Sequence, residues 1–167
     1  WNKEPKAGIQ PAPKMGKHNS GWVQDPGQPM SFDETIYPGL EKYVKDVLTT
    51  FAHDKRILLW DLYNEPGNSN KGDSSLPLLA KIFQWAREVN PDQPVSAGLW
   101  SWSLEKLNVF QLTNSDVITY HDYQEASLHK QVIQVLKANG KPLICTEYME
   151  RTRKSRFSTG IPMLKTQ

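Results

Sequence analysis

The chain has 167 residues, of which 20 are Lys or Arg and 18 are Asp or Glu, giving a formal net charge of +2. This length suits a single domain with a buried core. The balanced charge argues against a nucleic-acid partner or a polybasic membrane surface. No run of about 18 apolar residues is present, so we predict no membrane span. Cys145 is the single cysteine of the sequence, so no disulfide can form within the chain.

The N-terminal stretch predicts little regular structure. The chain begins at Trp1 with neither a Met nor a targeting segment, and we therefore expect a processed chain or a piece of a longer one. Residues 1–31 are rich in Pro, Gly, Lys and Asn and show no hydrophobic period, which predicts a long loop. We assign residues 1–167 to one domain, with its regular elements in residues 32–148.

Helix and strand patterns then alternate about four times. Helices are predicted, in chain order, in "SFDETIYPGLEKYVKDVLTTFAHDKR", "SSLPLLAKIFQWAREVNP", "SLEKLNVFQLTNS" and "ASLHKQVIQVLKANG", the third with the weakest pattern. Strands are predicted in "ILLWDLYN", "PVSAGLW", "DVITYHDY" and "KPLICTEY". The polar tail that follows, "MERTRKSRFSTGIPMLKTQ", predicts no element.

Strands that alternate with helices are typical of an α/β fold with a parallel sheet. A doubly wound sheet would usually carry a glycine-rich phosphate loop, but neither G-x-G-x-x-G nor G-x-x-x-x-G-K follows these strands. A (β/α)8 TIM barrel places its chemistry at the carboxyl ends of its strands. The sequence favours the barrel because polar and aromatic residues gather at the predicted strand ends, namely Asn64, Glu65, Trp100, Trp102, His121, Tyr123 and Glu147.

Side chains alternate between the two faces of a strand, so each predicted strand can carry an inward row that ends in a polar residue. The predicted rows are Leu59-Asp61-Tyr63-Glu65, Val117-Thr119-His121-Tyr123 and Leu143-Cys145-Glu147. We expect Asp61 to point inward and to find hydrogen-bond partners there, because a buried carboxylate needs them.

Glu65 and Glu147 end two strands of the same predicted sheet. Paired carboxylates in one cleft are what cleavage of a glycosidic bond requires, since one protonates the leaving oxygen and the other attacks the anomeric carbon or activates water. A lone Glu at a strand end is as readily a solvated charge or a helix cap. His121 and Tyr123 between the two carboxylates favour catalysis. Cys145 is interpreted as core, and the histidines lack metal-ligand spacing, so no metal site is predicted.

Three motifs resemble one known group of enzymes. The segment "WDLYNEP" resembles the Asn-Glu-Pro signature after the fourth strand of clan A glycoside hydrolases, and most of all the cellulase-like family five and its relatives. The segment "ITYHDY" resembles the His-x-Tyr element after the sixth strand of that group. The segment "PLICTEY" resembles its seventh strand, which ends in the nucleophilic Glu. The three motifs occur in the same order here.

The resemblance implies a retaining β-glycoside hydrolase that cleaves a β-linked polysaccharide or oligosaccharide by double displacement, without a cofactor. Glu65 would be the general acid/base and Glu147 the nucleophile. Asn64 would hydrogen-bond the sugar 2-hydroxyl, Tyr123 would donate to Glu147, and His121 would line the site.

The resemblance also makes Trp100 and Trp102 candidate sugar platforms, with loop packing as an equal alternative. It implies a secreted or periplasmic location. Aligned in this way, the chain carries strands four to seven of the eight, and four βα units cannot close such a barrel. We therefore expect a fragment that other segments complete, and we expect the isolated chain to lack ordinary glycosidase activity.

Two other functions are alternatives to the glycosidase. A noncatalytic carbohydrate-binding domain or a degenerate barrel scaffold would keep the same motifs without turnover. An unrelated α/β hydrolase would need a nucleophile elbow, and its G-x-S-x-G motif does not occur in the sequence.

Overall fold

The structure, a computed structural model, describes residues 8–9, 12–16 and 33–167. The long loop predicted for residues 1–31 lies, apart from those two short pieces, outside the described residues. Within residues 33–167 the predicted alternation of helices and strands is confirmed.

Five α-helices are present in the described part of the chain. They are α1 (Tyr37–Phe51), α2 (Leu76–Val89), α3 (Glu105–Asn114), α4 (Ala126–Lys137) and α5 (Phe157–Leu164). Short 3-10 turns at Glu34–Ile36, Gly72–Ser75 and Arg151–Arg153 precede α1, α2 and α5. Asn90 caps the end of α2 in the left-handed conformation. None of the helices in the described ranges is long and apolar enough to cross a membrane.

Four short parallel strands carry the site. They are β1 (Trp60–Asp61), β2 (Val95–Ser96), β3 (Ile118–Asp122) and β4 (Leu143–Tyr148). β1 pairs with β2, and β3 pairs with β4. A parallel bridge between Leu99 and Tyr120 joins the two pairs, so neighbouring strands follow chain order, as consecutive βα units of a barrel do.

The helices cover one face of these strands. Leu79 and Phe83 of α2 and Leu107 of α3 pack with Val95 and Ala97 in one fully buried cluster. A second cluster places Ile133 and Leu136 of α4 against Leu99, Ile118 and Tyr120. Polar side chains lie on the opposite face of the strands. Among them are Ser96 and Thr119, whose side-chain oxygens Oγ and Oγ1 are hydrogen-bonded at 2.7 Å.

The predicted inward row of β4 is wrong below its tip. A β-bulge interrupts the register between β3 and β4, so that Tyr120 pairs with Cys145 whereas His121 pairs with Glu147. The extra residue reverses the alternation of side chains. Leu143 and Cys145 therefore pack toward the helices in the second cluster, and Glu147 lies on the same face as His121.

The predicted inward row of β1 is also wrong at Tyr63. Regular pairing ends at Asp61, and Tyr63 packs against the helix-side clusters instead. The chain then bends into a turn, and this turn rather than the alternation of a strand directs Glu65 to the polar face.

The tail contains a helix that the sequence pattern did not predict. α5 includes Gly160 and Pro162, both poor helix formers. Met163 and Leu164 of α5 pack against the second cluster. Tertiary packing therefore stabilises a helix that local preference disfavours.

Candidate active site

Glu65 lies in the turn that leaves β1, with a backbone φ of 49°. A left-handed conformation at a non-glycine residue costs on the order of 1–3 kcal/mol and persists when the surroundings enforce it. The next two residues, Pro66 and Gly67, are buried. A Cβ at Gly67 would lie 2.8 Å from the Leu107 side chain, so glycine is needed for this close packing.

His121 lies near the end of β3, between the two glutamates. Its side chain is 2% exposed, and its Nδ1 lies 2.7 Å from Glu65 Oε1. On the other side of the ring, Nε2 lies 3.6 Å from Glu147 Oε1, which is too long for a hydrogen bond. His121 therefore contacts one carboxylate directly and faces the other.

Glu147 lies on β4 just after the bulge. Its side chain is 38% exposed, whereas that of Glu65 is 12% exposed. The Tyr123 hydroxyl donates a hydrogen bond to Glu147 Oε2, the contact expected from the sequence. Burial, followed by this hydrogen bond, raises the pKa of Tyr123, so its hydroxyl keeps the proton that it donates.

Glu65, His121 and Glu147 form a compact cluster. One ligand atom from each side chain lies within 4.8 Å of the others, an arrangement that could also hold a metal ion. His121 Nδ1 is already bonded to Glu65, which leaves Nε2 as its ligand for a metal. The same geometry suits a proton donor and a nucleophile that act on the two atoms of one substrate bond.

Two neighbours of this cluster, Asn68 and Gly98, were not predicted from the sequence. The Asn68 side-chain amide donates a hydrogen bond to Glu65 Oε2. Gly98 lies against the imidazole, and a Cβ there would meet His121 Nε2 at 3.0 Å. Asn68 stands three residues after Glu65 in a Gly- and Asn-rich turn, which is a weak signal, and nothing in the sequence around Gly98 indicates its contact with His121.

The remaining predicted site residues surround the cluster at different depths. Asn64 is exposed immediately before Glu65. Trp100 is half-buried, and its indole Nε1 donates to the Pro66 carbonyl oxygen at 2.9 Å. Trp102 is 56% exposed. An open cavity of about 550 Å³ on the Glu65 side is lined by Gly67, Asn68, Ser69, Asn70, Trp100 and Ser101, among others.

Asp61 lies on the predicted face, though it is not buried as expected. It pairs in register with Ser96 and is affected by the charges of His121 and Glu147, which places it on the polar face. One side of the Asp61 side chain is exposed to solvent, and the described residues contain no strand before β1 that could cover it. Burial of the other side raises the pKa of the Asp61 carboxyl, and the backbone N–H of Tyr63 donates a hydrogen bond to this carboxyl at 3.3 Å.

The comparisons with known proteins agree with this geometry. Residues 16–165 match the model of the family described as Cellulase (glycosyl hydrolase family 5). A comparison with curated proteins finds no match. A solved structure of Faecalibacterium prausnitzii beta-glucuronidase is similar, with a TM-score of 0.59 at 12% identity over 78% of this chain.

This chain spans 26% of that solved structure, and at such low identity the likeness shows the fold alone. With the family match, it confirms that the chain holds part of a (β/α)8 barrel of the clan A type. In the alignment based on the sequence motifs, β1–β4 correspond to strands four to seven of the eight-stranded barrel.

Proposed function

Because the chain belongs to glycosyl hydrolase family 5, we propose that it is the part of a retaining β-glycoside hydrolase that carries both catalytic carboxylates. Glu65 is the general acid/base and Glu147 the nucleophile. The substrate is a β-linked polysaccharide or oligosaccharide, and the reaction is a double displacement. The reaction runs in a closed barrel, which requires strands beyond the four described.

The observation that carries the proposal is the separation of the two carboxylates. One oxygen of Glu65 and one of Glu147 lie within 4.8 Å of each other. Carboxyl groups in retaining enzymes are about 5–5.5 Å apart, whereas inverting pairs are about 6.5–9.5 Å apart to admit a water molecule. The short separation favours direct attack by Glu147 on the sugar.

In the first step, Glu147 attacks the anomeric carbon as the bond to the leaving oxygen breaks. Glu65 gives its proton to that oxygen, so the leaving group departs as a neutral alcohol. The Tyr123 hydroxyl holds the attacking carboxylate through Oε2, which leaves Oε1 to form the ester bond. This step yields a covalent glycosyl-enzyme and an ionised Glu65.

His121 suits the protonation states that this step needs. With its proton on Nε2, the neutral imidazole accepts a hydrogen bond at Nδ1 from the protonated Glu65 and points its N–H toward Glu147. This tautomer matches the protonated Glu65 and the ionised Glu147 with which the first step begins.

In the second step, Glu65 accepts a proton from water while the water oxygen attacks the anomeric carbon. The ester bond to Glu147 breaks and regenerates its carboxylate. Two inversions at one carbon give net retention. We assign to Asn64, which is exposed beside Glu65, the hydrogen bond to the sugar 2-hydroxyl that the family resemblance implies.

The experiment uses a protein in which this chain is part of a complete eight-stranded barrel, hereafter the barrel-complete protein. Proton NMR of the first product released from a soluble β-glycan should show the β anomer before mutarotation. Release of the α anomer would contradict double displacement. Binding of β-glycans with no turnover on any of them would favour the noncatalytic carbohydrate-binding alternative.

We also place this protein outside the cytoplasm, secreted or periplasmic, because its family resemblance is to enzymes that degrade large polysaccharides. Such substrates do not enter cells intact. Fractionation of the native host should recover the protein in the medium or periplasm. Recovery in the cytoplasm alone would contradict this location.

A further inference from the structure

Two tryptophans follow β2, and the structure gives them different surroundings. Trp102 is 56% exposed, as a sugar-stacking platform would be. Trp100 is half-buried, and its indole N–H is bonded to the Pro66 carbonyl oxygen at 2.9 Å. We propose that Trp100 is a positioning residue for Glu65, rather than a sugar platform. This inference rests on the proposed function.

The turn that holds Glu65 needs support from outside the residue. Its φ of 49° is disfavoured, so contacts outside Glu65 must maintain it. Proline has no backbone N–H, so the carbonyl oxygen is the one backbone hydrogen-bonding group of Pro66. The Trp100 indole binds that group, one residue beyond Glu65.

Trp100 follows directly on the backbone segment that is hydrogen-bonded to β3. The preceding residue, Leu99, donates its N–H to the Thr119 oxygen at 3.0 Å and accepts the His121 N–H at 2.8 Å. Trp100 therefore extends from the backbone ladder that holds His121. Its indole joins this ladder to the turn of Glu65 and so fixes the acid/base relative to the imidazole that contacts it.

The consequence is specific to proton transfer. A displaced Glu65 would fail to protonate a poor leaving group, whereas a leaving group that departs without a proton would be affected little. General acid catalysis contributes about 10²–10⁴-fold to such reactions. Loss of a sugar platform would instead weaken binding of substrates with the same sugar chain by the same factor, whatever their leaving group.

The experiment compares two substrates that share a sugar chain and differ in leaving group, an alkyl alcohol or a dinitrophenol. In the barrel-complete protein, Trp100→Phe keeps an aromatic ring and removes the N–H donor. We expect kcat/KM to fall about tenfold or more for the alkyl glycoside and less than about threefold for the dinitrophenyl glycoside. Azide should accelerate turnover of the dinitrophenyl glycoside by this variant, because it attacks the intermediate without needing a base.

Trp102→Phe and Trp102→Ala are the matched controls. They should raise KM for long substrates while leaving the ratio of the two leaving-group rates unchanged. If Trp100→Phe is poorly folded, as judged by thermal melting, replacement of the Trp100 indole by benzothiophene removes the N–H and retains the ring shape. The expected change in leaving-group ratio is the same for both replacements.

Equal losses for both leaving groups, in an active parent, would overturn the positioning role while leaving the proposed function intact. An increase in KM without a change in the ratio would make Trp100 a sugar platform. A barrel-complete parent that hydrolyses neither glycoside would overturn the proposed function, and this inference with it.

Discussion

The Tyr123 hydroxyl donates a hydrogen bond to Oε2 of Glu147, the carboxylate oxygen that does not attack the sugar. A hydrogen bond to a charged group contributes roughly 1.5–3 kcal/mol, and removing it corresponds to about a 10- to 160-fold change. We therefore expect Tyr123→Phe to lower kcat/KM of the barrel-complete protein by that factor, with little change in thermal stability. Steady-state kinetics and thermal melting measure the two quantities.

The control for this substitution is Tyr43→Phe on the exposed face of α1, where the side chain is 66% exposed. That variant should retain the activity of the parent. Unchanged kcat/KM in Tyr123→Phe would mean that Glu147 does not depend on this donor.

The positions of the candidate site residues were predictable where a motif places them at or near a strand end. Glu65, His121, Tyr123 and Glu147 are brought together as the sequence motifs indicate. Residues that contact the cluster from another strand were not predictable, because their sequence neighbourhood does not encode the contact. Gly98 is such a case, since its role depends on the imidazole of a later strand lying against it.

Elements were predictable in proportion to the strength of their hydrophobic period. The amphipathic patterns of α1 and α2 predicted those helices well, whereas α5 was missed because it contains Gly160 and Pro162. The strand patterns predicted the right segments but not the bulge that pairs His121 with Glu147. A bulge depends on how two strands meet, and neither strand alone shows it.

Docking of α5 depends on the absence of a side chain at Gly160. A Cβ there would lie 1.7 Å from the Tyr148 hydroxyl oxygen, so Ala must displace the tyrosine or the helix. Overpacking of this kind costs typically 1–3 kcal/mol. We expect Gly160→Ala to lower the free energy of unfolding by about that amount, measured by denaturant titration.

The matched control for Gly160→Ala is Gly39→Ala in α1, where nothing lies within 4 Å of the added Cβ. That substitution should be neutral, or stabilising by about 0.5–1 kcal/mol, because alanine favours helix. Equal effects of the two substitutions would mean that α5 does not pack against Tyr148.

His129 of α4 gives the fold a pH dependence. The side chain is fully buried, and its Nε2 lies 2.8 Å from the Tyr120 hydroxyl. Burial lowers the pKa of His129 below its usual value, although the charge of Asp122 acts in the opposite direction. Near pH 6.5, His129 therefore binds a proton in the unfolded chain but stays neutral in the folded chain.

The stability contributed by neutral His129 is fully present above about pH 6.5 and is lost as the pH falls below that value. For one proton the limiting slope is about 1.4 kcal/mol per pH unit. Denaturant titrations between pH 7.5 and 5 should show this loss in the parent and a weaker loss in His129→Gln. Parallel pH profiles would mean that His129 is not the responsible group.

At the level of the whole molecule, the sheet is open at both edges of the described region. β3 is fully buried, whereas β4 is half-buried, as expected for a strand with one neighbour. β1 likewise pairs on one side, with β2. The family match and the partial coverage of the solved relative fit a barrel that needs further strands.

The isolated 167-residue chain should therefore show no ordinary glycosidase activity, because part of the barrel and of the sugar site is missing. Activity should return when the chain is part of a barrel with all eight strands. Both proteins can be assayed on the same soluble β-glycan. Full activity of the isolated chain would mean that four strands suffice for the site.

Azide rescue in the barrel-complete protein distinguishes the acid/base Glu65 from the nucleophile Glu147. With a dinitrophenyl β-glycoside, Glu65→Ala should still glycosylate Glu147 and then stall, and added azide should release the β-glycosyl azide. Glu147→Ala should form no intermediate, and azide should attack directly to give the α-glycosyl azide. NMR of the two products distinguishes the anomers. The opposite pair of anomers would show that the roles of Glu65 and Glu147 are reversed, and an absence of azide products from both variants would contradict the double displacement.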